Sequence, residues 1–166
     1  NIIRLELAPG SYISENELAA EMGLSRTPVR EALIDLAKVK IIEIAPQKRS
    51  VVAYINYDMV EEARFIRNVL ETAVVELVCT LRTEQDLEKL EEKVKLQRFH
   101  LEQANYGGIM ELDNRFHEIL FEIAQKPQAY AMIQHIAIHF DRVRSMALSS
   151  VKDIKIVEDH ARIVEA

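Results

Sequence analysis

A chain of 166 residues has room for one ordinary domain or two small ones. Its 49% hydrophobic and 29% charged residues, with only four Gly and four Pro, exclude a disordered polymer and fit a helix-rich fold with a real core. The net charge of -6 is uneven, because residues 1–54 hold seven basic and seven acidic residues and the remainder holds 14 against 20, so the neutral first part can present a basic edge at Arg26, Arg30, Lys48 and Arg49. No apolar run approaches the roughly 20 residues that span a bilayer. The opening also lacks a signal-peptide layout, so a cytoplasmic address without membrane contact is expected. Cys79 is the only cysteine, which excludes a disulfide framework, and its place in the apolar run AVVELVCTL predicts a packed thiol.

In chain order, Pro9 and Gly10 end an opening segment. Ser14 followed by Glu17 is a capping-box pattern, and it opens a helix with Leu18, Ala19 and Met22 on its apolar face. Gly23 stops that helix. Ser25 or Thr27 caps a second helix, in which Pro28 is tolerated because first-turn N–H groups have no helical partner. Val29, Leu33, Leu36 and Ala37 form its inner stripe, and the β-branched runs IIEI and SVVAYI then read as a hairpin. Beyond Asn56 the periodicity is helical, with helices expected over about 57–81, 83–104, 109–125, 128–148 and from about 153 onward. Asn105, Tyr106, Gly107 and Gly108 are read as the break between the second and third of these.

The expected fold is therefore mainly α, with a winged helix-turn-helix in residues 1–55 and an all-helical bundle in 56–166. The final helix has no stop signal and the opening begins on Ile2, Ile3 and Leu5, so the expectation is a chain truncated at both ends.

In a helix-turn-helix the second helix offers its N-terminal side chains to base edges in the major groove. Arg26 and Arg30 are four apart and share a face, and an arginine fork pairs with the two major-groove acceptors of guanine. Ser25 and Thr27 suit phosphate oxygens, and Lys48 and Arg49 at the hairpin tip are expected near the adjacent backbone or minor groove. The stretch LAPGSYISENELAAEMGLSRTPVREALIDL resembles the GntR family of bacterial regulators, whose signature joins a PG-x-x-L/I-x-E-x-x-LA opening to an SR-x-PVREAL recognition helix. The wing departs from that pattern, since Arg49 stands where the family commonly has Gly.

On a helical wheel of the third long helix, Asp113 and His117 fall inside or beside the arc of Ile109, Leu112, Phe116, Ile119, Leu120 and Ile123. His160 sits likewise among Ile156, Val157, Ile163 and Val164. Inward carboxylates and imidazoles need one another, a metal or another polar partner. His135 and His139 project opposite the Ile133, Ile136 and Phe140 stripe and are read as solvated, as is His100. Arg67, and Arg144 within the apolar arc of its helix, could hold a carboxylate, or Arg67 could simply pair with Glu71.

An all-helical domain after this module resembles the FCD branch of the GntR family. The resemblance implies a divalent ion such as zinc, nickel or manganese on an Asp-x-x-x-His pair and two later histidines, and LDNRFHEIL and EDHARIVEA match the first three positions. The fourth histidine is expected beyond Ala166. The resemblance further implies a homodimer on operator DNA and a small organic-acid effector near Arg67 and Arg144. Two alternatives stay open: a metal-free regulator that senses a fatty-acid-type ligand, and a metal-dependent hydrolase. The hydrolase lacks a nucleophile elbow, a phosphate-binding Gly loop and an extra inward Glu beside Asp113 and His117.

Overall fold

A computed structural model describes residues 2–44, 49–150 (the last two by backbone alone) and 155–166. A two-residue strand β1 (Tyr12–Ile13) precedes helices α1 (Glu15–Met22) and α2 (Arg26–Lys38). Strands β2 (Ile42–Glu43) and β3 (Ser50–Val52) follow, and the antiparallel sheet has the order β1-β3-β2, with Ile13 opposite Ser50 and Ile42 opposite Val52. Five helices complete the described chain: α3 (Tyr57–Leu81), α4 (Glu84–Glu102), α5 (Tyr106–Ile123), α6 (Pro127–Ser150) and α7 (Ile156–Glu165). The architecture is mainly helical, a winged helix-turn-helix followed by a helical bundle.

Local chemistry accounts for the boundaries of the first two helices. Ser14 accepts a hydrogen bond from Glu17 N–H at 3.3 Å, and Gly23 closes α1 in the left-handed conformation at φ 64°, which a residue with a Cβ adopts only under strain. Ser25 is the cap of α2 by backbone conformation, but its hydroxyl makes no capping bond. Val29 and Leu33 bury against Ile13, Ala19, Ile42 and Val52 to form the first core. Each such side chain contributes roughly 1.5–3 kcal/mol when fully buried. Met22, expected on the inner face of α1, is 64% exposed, because that helix packs through Ala19 alone at its C-terminal half.

Asn56 caps α3, and Thr83 and Asp86 cap α4 reciprocally in a complete capping box. Helix α5 begins at Tyr106 rather than near 109, because Asn105 Oδ1 accepts from Gly108 N–H at 3.1 Å and draws both glycines into the first turn. Gly108 also packs so closely on His100 that a Cβ there would collide with the imidazole, and His100 is half-buried instead of free at the surface. Helices α2, α4 and α5 each end on a non-glycine residue with positive φ (Lys40, Ala104 and Gln125), so no glycine marks those ends in the sequence.

The bundle core gathers Val74, Val78, Leu90, Val94, Phe116, Phe121, Ile133 and Val157 from α3 to α7. Cys79 is exposed and not packed, since the inward face at this end of α3 is taken by Val74 and Val78. Ile163, expected inside, is likewise exposed.

Helix α6 ties the two halves together through side chains that bond to main-chain carbonyls. His139 Nε2 bonds the Val39 carbonyl at the end of α2 at 2.9 Å, and Arg142 Nη2 donates to the Ala53 carbonyl just after β3 at 2.8 Å. His139 is therefore buried, at 4% exposure, and not solvated; it lies between Val39 at the end of α2 and the α3 residues Met59, Ala63 and Ile66. Its pKa is lowered mainly by that burial. Arg142 is completely buried, which lowers its pKa, and its Nε and Nη1 have no hydrogen-bond partner among the described residues.

Candidate functional site

Two groups of the residues singled out above are brought together. The first lies on the exposed start of α2. Ser25, Arg26, Thr27 and Arg30 are all exposed, and one helical turn sets both arginines on one edge. Their side chains, each 62% exposed, converge on Glu15 at the first position of α1: Arg26 Nη2 lies 3.3 Å from Oε2 and Arg30 Nε 3.2 Å from Oε1. The hydrogen bond from Arg30 is the largest influence holding the Glu15 carboxyl below its usual pKa. No described side chain caps α2, and the positive end of its helix dipole lies at the exposed Ser25, Arg26 and Thr27. Arg49 is exposed, while Lys48 lies outside the described residues.

The second group is buried between the helices of the bundle. Asp113 is 2% exposed and divides its oxygens between two kinds of partner. Oδ2 accepts from Arg144 Nη1, with Arg67 Nη2 at 3.9 Å. Oδ1 faces the two imidazoles, with His160 Nε2 at 3.5 Å and His117 Nε2 at 3.8 Å. Behind them, His160 Nδ1 donates to Gln97 Oε1 at 2.9 Å, which leaves the Nε2 lone pair directed at the cluster. His117 Nδ1 lies 3.0 Å from Glu71 Oε1 but out of line for a hydrogen bond. Glu71 in turn accepts from Arg67 at 2.6 Å. Arg144 also reaches Asn114 Oδ1 at 2.5 Å and Asp141 at 3.1 Å, and the Phe140 ring lies near both guanidiniums, 5.5 Å from Arg67 and 5.9 Å from Arg144.

These neighbours set the protonation states. Burial pushes the His160 imidazole down to about 4, with His117 and Arg67 adding to the effect and Asp113 opposing it, so it is neutral at physiological pH. Burial opposes ionisation of Glu71, yet His117 and Arg67 together hold its pKa below the usual value; Asp141, with burial dominant, is raised. Metal-free protein should therefore lose stability in mild acid. The unfolded chain takes up a proton at its histidine near 6.5, whereas folded His160 does so only near 4. The contribution is at its full value above pH 6.5, falls as pH drops through that value, and levels off below 4. The loss at pH 5 is about 2 kcal/mol from His160, with His139 adding in the same direction. Urea unfolding in chelator at pH 7 and pH 5 measures it, and His160→Gln should flatten the difference.

The donor set fits a divalent cation. Ligand atoms of Asp113, His117 and His160 all lie within 4.8 Å of one another. Metal–ligand bonds of about 2.0–2.2 Å hold neighbouring donors roughly 3–3.5 Å apart, so a small side-chain adjustment suffices. Three carboxylates (Glu71, Asp113 and Asp141) face two guanidiniums (Arg67 and Arg144), which leaves buried negative charge for a cation to offset.

Arg67 and Arg144 are thus spent largely on carboxylates, and the Arg67–Glu71 pair is formed. Neither guanidinium lines the neighbouring cleft of about 870 Å³, which is bounded by Arg4, Lys93, His100, Asn114, Arg115 and Tyr130. Asn114 joins the two: its side chain accepts from Arg144, its carbonyl accepts from Tyr130 Oη at 2.7 Å, and it borders the cleft. Gln97, Asn114 and Asp141 were not anticipated. Gln97 could have been, since it continues the inward stripe of Leu90, Val94 and Leu101 on α4.

Comparison with known proteins decides the family. Residues 1–52 match the model of the bacterial regulatory proteins of the gntR family, and residues 62–166 match the FCD domain. The chain belongs to the GntR family, in its FCD branch. This is a family of bacterial regulatory proteins, not of enzymes. The GntR/FCD chain is 36% identical over 151 residues to the transcriptional repressor RspR of Escherichia coli, covering 91% of this chain and 66% of that protein. It is 34% identical to a helix-turn-helix transcriptional regulator of Streptomyces ambofaciens, covering 99% of this chain and 70% of the other. Among solved structures, E. coli McbR/YncC shares the fold with a TM-score of 0.78 at 24% identity, over 96% of this chain and 76% of that one. A GntR-family regulator from Pseudomonas syringae gives 0.52 at 27% identity, over 99% and 70%. The chain thus spans about two thirds of the length of RspR. No helix among the described residues is long and apolar enough to cross a membrane.

Proposed function

We propose that this chain is the greater part of a homodimeric, effector-responsive transcriptional regulator. Residues 1–55 read operator DNA, and residues 56–166 dimerise and sense a small organic acid. The observation that carries the reading is the open first turn of α2, where Arg26 and Arg30 stand together at the exposed edge of the family's recognition helix. In this assignment Arg26 and Arg30 pair with base edges, Ser25, Thr27 and the first-turn N–H groups hold phosphate, and Lys48 and Arg49 reach the flanking backbone.

In the helical half, Asp113, His117 and His160 hold a divalent ion, with zinc, nickel and manganese all compatible with two imidazoles and a carboxylate. Such an ion supplies a Lewis-acidic contact for a carboxylate oxygen of the effector. Gln97 fixes the His160 tautomer, Arg67 and Arg144 hold Asp113 in place, and the ion seated by that carboxylate would supply the positive charge an organic acid needs. Asn114, which borders the cleft and accepts from Arg144, links an effector bound there to the cluster. The polar lining of that cleft suits a small acid better than an acyl chain. Effector binding changes operator affinity to the extent that it favours one placement of the reading heads over another.

Arg26→Ala and Arg30→Ala should each weaken binding to an operator duplex at fixed salt by about 1–3 kcal/mol. Fluorescence anisotropy reads this, and unchanged affinity in both variants would remove the assignment. Elemental analysis of untagged full-length protein tests the ion: absence of a transition metal, in the unaltered protein and after reloading, would remove that part of the reading.

A further inference from the structure

We propose that Glu15 is the positioning residue for the two recognition arginines, gripping one edge of each guanidinium so that the remaining N–H groups of both are presented toward base edges. The inference rests on the assignment of Arg26 and Arg30 as base readers. Glu15 occupies the first position of α1, directly after the Ser14 cap, on a backbone fixed by that cap and by the packing of Ala19. One carboxylate serves both arms: Oε1 takes Arg30 through Nε, and Oε2 takes Arg26 through Nη2.

The choice of donor atoms matters. A guanidinium carries five N–H donors, and a bidentate contact with guanine uses two. With Nε of Arg30 held, both of its terminal nitrogens remain for an end-on contact. With Nη2 of Arg26 held through one N–H, its second N–H remains to form a fork with a neighbouring nitrogen. Two long, flexible side chains that would otherwise lose rotamer freedom on binding are ordered beforehand, and their spacing is set by the two oxygens of one group.

Stability does not account for the arrangement. Both arginine side chains are 62% exposed, and exposed ion pairs contribute little to folding. A carboxylate at a DNA-facing edge also repels phosphates and so weakens binding to arbitrary sequence. Glu15 therefore trades general affinity for discrimination, favouring the duplex in which both arginines find their bases over those in which they do not.

The test compares two probes at one fixed salt concentration: the duplex that the unaltered protein enriches from a random-sequence library, and a random-sequence duplex of equal length. Glu15→Gln, which keeps the shape and removes the charge, should lower the ratio of the two affinities by roughly tenfold, the scale of one good bidentate contact. Affinity for the random duplex should stay level or rise, and the thermal midpoint should not change. In an Arg26→Ala/Arg30→Ala background the same substitution should alter the ratio no more than about twofold, because both partners have gone. If Glu15→Gln leaves the ratio intact while Arg26→Ala and Arg30→Ala lower it, the positioning role is overturned and the arginine assignment stands. If neither arginine variant lowers it, the assignment itself fails. Equal loss of affinity for both duplexes with a lowered thermal midpoint would mean that Glu15 acts through folding, and that too overturns the proposal.

Discussion

Replacing Asp113 with Ala is expected to destabilise the metal-free protein by about 3–5 kcal/mol, the usual effect of removing one partner from a buried ion pair. Asp113 is the common counterion of Arg144 and Arg67, and Arg144 is itself only 8% exposed. The value should fall toward the lower end of the range, because Arg144 keeps Asp141 and Asn114 while Arg67 keeps Glu71. Asp113→Asn preserves the shape and a hydrogen-bond acceptor for Arg144, so it should lose roughly half as much. Urea unfolding in chelator isolates this structural effect from any loss of a bound ion. An Asp113→Ala variant within about 1 kcal/mol of the parent would mean that the cluster is not a buried ion-pair network.

Phe116→Ala should have an effect of similar size, about 3–5 kcal/mol, for a different reason. The ring is fully buried at the centre of the bundle and lies parallel to the His160 imidazole, with centroids 4.0 Å apart and planes within 9°. Truncation leaves a cavity in the core and uncovers one face of the histidine. Phe116→Leu refills most of that volume and should lose about 1 kcal/mol. The two variants should also differ in the His160 titration followed by NMR: admitting water beside the ring raises its pKa from about 4 toward the ordinary value in Phe116→Ala, and less so in Phe116→Leu. An unshifted titration in both would show that Phe116 does not keep the histidine dry.

Where side-chain pattern and backbone agree over many residues, the fold could be read directly from the chain. Helix α3 occupies Tyr57–Leu81 as expected, because an Asn cap and a long apolar stripe fix it locally. The wheel positions of Asp113, His117 and His160 were informative for the same reason: a polar side chain within an apolar arc has to meet other polar groups, and these three meet one another. Features defined by distant partners were not legible. Strand β1 is two residues long and exists because β3 lies beside it. The wheel of α6 sets His139 opposite the Ile133 and Ile136 stripe, whereas its hydrogen-bond partner is a carbonyl 100 residues earlier in the chain. Arg142 gave no signal either, since its partner is 89 residues away and is main chain. Glu15 lay in a recognisable capping pattern, but nothing in its own helix indicated that two arginines of the next helix would share it.

The attachment of α6 to the winged helix-turn-helix holds backbone shape and not side-chain identity. Both acceptors, at Val39 and Ala53, are backbone carbonyls, so the side chains at those two positions are not what His139 and Arg142 grip. A winged helix of the same backbone shape can change its exposed side chains without losing its seat on α6. The side-chain requirement of the joint then falls on two residues of one helix, only a few positions from Arg144, and not on the exposed edge of α2.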